Sequence, residues 1–372
     1  MRAWPLLALL FVPLAVSSQE AAPRARHVIL FLADAGGLPT LHAASLHGYG
    51  DERRLFVQRM PRIALSSTGT ASEYVTDSAA GMTAIVTGVR THNGVLGMGA
   101  DAARGTRDGT PLTTILELAE QHGLSTGLIS NDALTGATPA ALYAKVNERG
   151  RTSAIFRQAF GRAGGDGVDV MIGAGRTAVA TALAAEGATI DAVAADAGRR
   201  VWASLDAVPA NEARPVVLVD DQEFDLGAAI AMARQRLGAN PRGSFLMVES
   251  DVHTDRVRRG LDRMVTFDTA IEATARSAGA DTLVIFTADH SFDLRVHEGR
   301  RGQPLLTDAP GERASARHLD LPNVRMDDSH TGEEVLVAAQ GPGSEAVHGF
   351  LANTDLFHVM RAAFGWPAAS RR

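Results

Sequence analysis

Apolar residues in this chain are gathered into short runs separated by longer stretches of mixed character. Seven runs are apolar almost throughout and are bounded by Gly, Asp or Pro: His27–Ala33, Leu124–Ser130, Val168–Ile172, Val216–Val219, Phe245–Val248, Thr282–Thr287 and Glu334–Ala339. Runs of this length and evenness predict strands buried on both faces. Helical spacing occupies the stretches between them. In Thr113–His122 the apolar positions Ile115, Leu116, Leu118 and Ala119 precede a stop at Gly123. Val265–Ala275 is a second helix, and Thr354–Phe364 opens on a Thr-Asp cap and closes before Gly365. Strand and helix in alternation predict an α/β fold, a mostly parallel central sheet with helices on both faces. No internal repeat occurs. The polar, Arg/Gly-rich stretch Arg300–Ala316 reads as a loop over the site.

The first residues, MRAWPLLALLFVPLAVSSQE, break this pattern. Arg2 supplies a positive start, Leu6 to Val16 an apolar stretch, and Ala15 and Ser17 small residues at a cleavage point. The apolar stretch is about half of the roughly 20 residues a spanning helix needs. We read residues 1–18 as a secretory signal and 19–372 as one unit, exported to the periplasm or the extracellular space. No other segment is long and apolar enough to cross a bilayer.

Composition narrows the chemistry. The chain has 372 residues, 45% of them apolar, so a large core is available. A net charge of −6 gives no reason to expect nucleic acid as a partner. Lys145 is the only lysine, a bias of composition rather than a binding surface. There is no cysteine, so thiolate nucleophiles and thiolate metal ligands are excluded. Metals must be held by His, Asp, Glu and hydroxyl groups, which suits zinc, magnesium or calcium.

Candidate chemistry collects at the ends of the predicted strands, where open parallel sheets place their sites. HVILFLAD ends on Asp34, and TLVIFTADH on Asp289-His290. Asp34 is a metal ligand or a helix cap, whereas two donors at one strand end can converge on one ion. In YVTDSAAGMTA, Ser78 follows Asp77 and precedes a run of mostly small residues that lets a helix N-terminus approach a phosphate. Ser78 is a nucleophile there or simply a cap. SFLMVESDVH carries Glu249 and His253, four apart and on one side if a helix begins at Glu249. Asp251 and Asp255 compete with them. His330 lies in a His-Thr-Gly loop before the last apolar run. In DALTGATPAALYAKVNERG, Thr138 precedes Arg149 on an Ala-rich helical stretch, and a guanidinium can grip two phosphate oxygens. Together these residues are the inventory of a two-metal site around a serine.

The same pieces, in this order, resemble the alkaline phosphatase family over nearly the whole chain. The resemblance rests on ILFLAD, VTDSAAGMTAIVTG, ATPAALYAKVNER, FLMVE, FTADH, HTGEEVLVAAQGP and TDLFHVMRAAFG. It implies a three-layer sandwich and hydrolysis of small phosphate monoesters through a phosphoserine at Ser78. It implies that Arg149 binds the phosphoryl oxygens and that Asp77 orients Arg149. It assigns Asp34, Asp289 and His290 to the zinc that activates Ser78, His253 and His330 to a second zinc, and Thr138 to a magnesium site. A homodimer is also implied. Other enzymes of this fold, a phosphodiesterase, sulfatase or phosphonate hydrolase, are the alternative. A secreted metal- or phosphate-binding protein without turnover would need neither Ser78 nor Arg149.

Two positions depart from the family pattern. The family places a Glu after the FLMV-like strand, an Asp five residues later, and a His four residues after that. Here Glu249 and His253 are too close to enclose both carboxylates. Counting back from the helix around Asp268 keeps His253 in place and puts Glu249 in the role of the zinc carboxylate, with Asp251 as the substitute. Counting forward from the strand puts Glu249 at the magnesium position. Gly136 stands where the family has Asp or His. The expectation is a two-zinc core with a weak magnesium position.

Overall fold

The computed structural model describes residues 24–161, 166–306 and 315–367; residues 1–18, read above as a signal, lie outside them. Thirteen strands are found among these residues: β1 His27–Asp34, β2 Arg62–Ser66, β3 Ser125–Ala133, β4 Val170–Ala174, β5 Val201–Trp202, β6 Val216–Leu218, β7 Ser244–Asp251, β8 Thr282–Ala288, β9 Ser291–Val296, β10 His318–Asp320, β11 Val324–Thr331, β12 Val335–Gln340 and β13 Gly349–Leu351. Ten form one sheet in the order β13-β2-β12-β8-β1-β7-β3-β4-β6-β5, and the other three form a small sheet, β10-β11-β9. The large sheet is parallel except where β12 runs against β8 and β2.

The continuous apolar character of β1 follows from cover on both faces. Val28, Leu30 and Leu32 enter one core, and Ile29, Phe31 and Ala33 enter the other, as the two-residue period of a strand requires. The first core holds the helix Ser78–Thr87 through Ala79, Met82, Ile85 and Val86, together with the helices Ile115–Gln121 and Asp355–Ala363. The second holds Leu38–Tyr49, Leu226–Leu237 and Val257–Ser277. The last of these helices turns Val257, Leu261, Met264, Phe267, Ile271 and Ala275 inward, a helical stripe. Phe267 meets Phe31 edge-on at 5.7 Å between centroids, worth about 0.5–1.5 kcal/mol beyond its buried area.

Register brings the chemistry together. Across β1 and β7, Asp34 faces Asp251; across β1 and β8, Ala33 faces Ala288, so Asp289 emerges at the same level. Ser130 on β3 faces Glu249 on β7.

Several expectations are corrected. Glu249 lies inside β7, which continues to Asp251, so Glu249 and His253 do not share a helix face. Strand pairing holds that segment extended as far as Asp251. His330 belongs to strand β11 rather than to a loop. Arg149 sits in a turn whose backbone N–H bonds to the Gly94 carbonyl at 2.8 Å, not on a helix. The helix read as Val265–Ala275 runs from Val257 to Ser277. The stretch 300–316 leads into the small sheet, and residues 307–314 of it lie outside the described part.

Candidate active site

Ser78 is the first residue of the helix Ser78–Thr87, and the cap is Asp77. Asp77 Oδ1 accepts the Ala80 N–H at 3.0 Å. Its Oδ2 accepts from Gly94 N at 2.8 Å and from Arg149 Nη1 at 3.1 Å. One carboxylate therefore caps the serine helix, ties the 94 loop and holds the guanidinium. Gly81 permits close packing: a Cβ there would lie 3.1 Å from the Asp289 carbonyl oxygen and 3.2 Å from Asp289 Cβ.

Around Ser78 Oγ stand Asp34, at 3.4 Å and 3.3 Å to its two oxygens, and His290 Nε2 at 3.3 Å. His290 Nε2 is 3.2 Å from Asp34 Oδ1, and Thr138 Oγ1 is 3.3 Å from Asp34 Oδ2. Asp289 Oδ1 accepts from the His290 and Ala35 backbone N–H groups at 2.9 Å and 3.3 Å. Asp289 Oδ2 is buried without a hydrogen-bond partner. Ala35, next to Asp34, has φ of 66°, a left-handed conformation uncommon for a residue other than Gly and found at functional sites.

Three imidazoles complete the cluster. His290 and His330 stack with ring centroids 3.7 Å apart, and His253 lies 5.7 Å and 5.6 Å from them. His253, His290 and His330 form one group of mutually close donor atoms; Asp34, Asp289 and His290 form another. Each imidazole has Nδ1 engaged: His290 with the Ser291 carbonyl at 3.1 Å, His330 with the Thr76 carbonyl at 3.1 Å, and His253 with Asp251 Oδ1 at 2.8 Å. Because these partners accept, a proton rests on Nδ1, which leaves Nε2 as the nitrogen that a metal would take.

Glu249 stands apart from His253. Ser130 Oγ donates to its Oε2. Asp251 is the carboxylate that meets His253. A carboxylate that sequence reasoning passed over, Asp132, lies beside Gly136, where an added Cβ would come within 3.1 Å of its Oδ2. The motif S-N-D next to G-A-T was the available signal.

A family model described as alkaline phosphatase matches residues 25–200 and 220–314. The chain belongs to the alkaline phosphatase family. It is 32% identical to streptomycin-6-phosphate phosphatase of Streptomyces griseus, over 97% of this chain and 95% of that one. It is 30% identical to the alkaline phosphatase of Escherichia fergusonii, over 92% and 86%. The fold matches alkaline phosphatase of Thermus thermophilus with TM-score 0.75 at 21% identity, over 97% of this chain and 96% of that one. It also matches TAB5 alkaline phosphatase mutant His 135 Asp, a structure with Mg bound in its M3 site, with TM-score 0.74 at 23% identity, over 93% and 100%. The chain is a phosphatase. No helix among its described residues is long and apolar enough to cross a membrane.

Electrostatics in this phosphatase are set by three carboxylates crowded out of water. Burial pushes the Asp34 carboxyl up, but His253 and His290 outweigh it and hold the group well below the usual carboxylate range. Burial and the Asp34 charge push Asp289 up to about 6. Burial, Asp34 and Asp132 push Glu249 well up. His253 rises to about 10 because Asp34 and Asp251 overcome burial. Burial and the neighbouring His290 and His253 lower His330 to about 4. Protein cations alone do not neutralise this much buried negative charge. With the orphaned Asp289 oxygen and three clustered imidazoles, the donor set fits bound divalent cations.

Proposed function

We propose that this phosphatase hydrolyses phosphate monoesters through a phosphoserine at Ser78. The contact of Ser78 Oγ with Asp34 and His290 carries the reading: both side chains belong to the Asp34, Asp289 and His290 donor group, so a cation held there would lie beside the hydroxyl and could ionise it. Asp34, Asp289 and His290 would hold one zinc with Ser78, and His253 and His330 would hold a second. Ions at these two positions would stabilise the serine alkoxide and the charge on the departing oxygen, as in two-metal sites.

The side chains of the chain do the remaining work. Arg149, held by Asp77, would bind two non-bridging oxygens through its planar fork. The N-terminus of the serine helix adds free N–H groups. Ser78 Oγ attacks phosphorus in line, the Oγ–P bond forms as the ester P–O bond breaks, and the alcohol leaves with a solvent proton. Water then attacks from the vacated side, and Ser78 and inorganic phosphate are regained. Positioning and charge neutralisation dominate such transfers. A monoester offers three unesterified oxygens, two for the guanidinium and one for the cations, whereas a diester offers only two, so this arrangement favours monoesters.

Thr138, Glu249 and Asp34 define a third position with oxygen donors suited to magnesium. Gly136 brings no side chain to it, and Ser130 already engages Glu249, so we propose weak occupancy. Export through residues 1–18, residues 19–372 as one catalytic unit and homodimerisation remain parts of the same reading.

The test is acid quenching during turnover of a labelled aryl phosphate, followed by peptide mapping. Label on Ser78, and loss of turnover in Ser78→Ala with zinc content kept, are expected. Near-normal turnover in Ser78→Ala would sink the scheme, and equal rates on an aryl phosphate and a diaryl phosphate would sink the monoester assignment.

A further inference from the structure

We propose that Asp251 is a positioning residue: clamped by Arg263, it orients His253 and raises its donor strength without itself entering the metal shell. The inference rests on the two-metal reading above and adds residues which that reading does not need.

Both oxygens of Asp251 are already committed. Oδ1 accepts from His253 Nδ1 at 2.8 Å and from the His253 backbone N–H at 3.1 Å. Oδ2 accepts from Arg263 Nη1 at 3.0 Å, and the same Nη1 reaches the Asp251 carbonyl at 3.2 Å. The Asp251 N–H donates to Asn131 Oδ1 at 2.8 Å, which fixes the end of β7. Among the described residues, Asp251 joins neither group of mutually close donor atoms. A carboxylate turned toward one imidazole and one guanidinium is therefore placed as a support and not as a ligand.

Arg263 is built for that task. It lies on the helix Val257–Ser277 with its side chain 6% exposed. Its Nε and Nη2 reach Glu223 Oε1 at 3.0 Å and 2.7 Å, so its charge is balanced from the far side. Gly260, three residues earlier, lets the helix press on the loop that carries the imidazole: a Cβ there would lie 2.4 Å from the His253 carbonyl oxygen and 2.8 Å from that of Val252. Loop, strand end and helix thus form one rigid unit behind His253.

The arrangement distinguishes His253 from its two neighbours. His290 and His330 give their Nδ1 protons to backbone carbonyls, whereas His253 gives its proton to a carboxylate. A carboxylate partner makes the opposite nitrogen a stronger donor and fixes the ring; loss of such a partner typically weakens metal binding about ten- to a hundredfold.

The experiment titrates metal-stripped protein with zinc against a competing chelator, and with cobalt followed by its visible spectrum, for wild type, Asp251→Asn and Arg263→Lys. In Asp251→Asn one of two zinc ions is expected to bind about ten- to a hundredfold more weakly, the other normally, with altered band positions for cobalt at the weakened site. Arg263→Lys, which keeps the charge but not the planar fork, is expected to give a smaller loss at the same site, and it supplies the measurement should Asp251→Asn fail to fold. Melting in chelator is expected to be close to that of wild type. Unchanged affinity and spectrum overturn the inference. So does a change of cobalt coordination number in Asp251→Asn, which would make Asp251 a ligand, and so does a loss of stability in chelator with zinc affinity intact. Phosphate release by wild type is measured separately: two tightly bound zinc ions without turnover would sink the proposed reaction and leave the positioning role standing.

Discussion

His330 faces Phe292 across the antiparallel ladder of β9 and β11, two residues after His290. This pairing, in a sheet of three short strands, brings together imidazoles forty positions apart. Phe292 is 1% exposed, meets His253 edge-on at 5.2 Å and lies 6.2 Å from His330, so one ring braces two candidate ligands. Phe292→Ala should destabilise the fold by about 3–5 kcal/mol, as large aromatic truncations do. Phe292→Leu should fold and retain less zinc after dialysis than wild type. Denaturant titration and metal analysis check both; full zinc retention in Phe292→Leu would show that the ring braces nothing.

Arg149 offers a sharper functional readout. Lysine keeps the charge but loses the fork, and a hydrogen bond involving a charged group contributes about 1.5–3 kcal/mol. Arg149→Lys should therefore lose roughly ten- to a hundredfold in kcat/KM for aryl phosphates, with zinc content unchanged. An unchanged kcat/KM would remove Arg149 from phosphate binding.

Chelation should destabilise the protein as well as silence it. With cations removed, Asp34, Asp289 and Glu249 are left mutually repelling in a buried site. Ligand that binds only the folded state at about 100 times its dissociation constant adds about 2.7 kcal/mol. Melting should move down in chelator and be restored by zinc, with magnesium giving a smaller shift. Identical melting with and without chelator would refute bound metal.

Away from the site, Glu120 makes stability depend on pH. Its carboxyl accepts from Thr126, yet burial and the nearby Asp169 and Asp166 charges push it up to about 7. The folded protein thus holds this proton more tightly than the unfolded chain. The stability that Glu120 contributes is complete below about 4.5, the ordinary Glu range, and is lost as pH rises through about 7. Glu120→Gln should melt like wild type near pH 4.5 and above it at pH 8. Parallel melting curves across that range would contradict this.

Much of this arrangement was legible in the sequence because its core elements are locally consistent. β1, β7 and β8 are covered on both sides, so their apolar runs stand out, and each of the three runs out into acidic residues at the site. What stayed hidden depends on register and on distant pairing. β9 to β11 carry exposed polar residues on one side and announce no core strand. β2 and the edge strand β13 are short and half exposed. Glu249 and Asp251 differ by two positions, and only the registers of β3 and β1 with β7, which set Ser130 opposite Glu249 and Asp34 opposite Asp251, decide which of them meets Ser130 and which meets His253. The places of Asp132 and Arg263 required knowledge of which loop and which helix lie above the sheet end.

The two cores that sandwich β1 divide the supporting structure of the reaction centre into halves. Ser78, the proposed nucleophile, rests on a helix rooted in one interior, and the Asp251–Arg263 brace is rooted in the other. Volume changes at Leu30 or Met82 will therefore be felt first by the serine, and those at Phe31 or Phe267 by the His253 side. Hydrophobic repacking in separate layers gives independent handles on attack and on departure, tunable without touching a single polar residue.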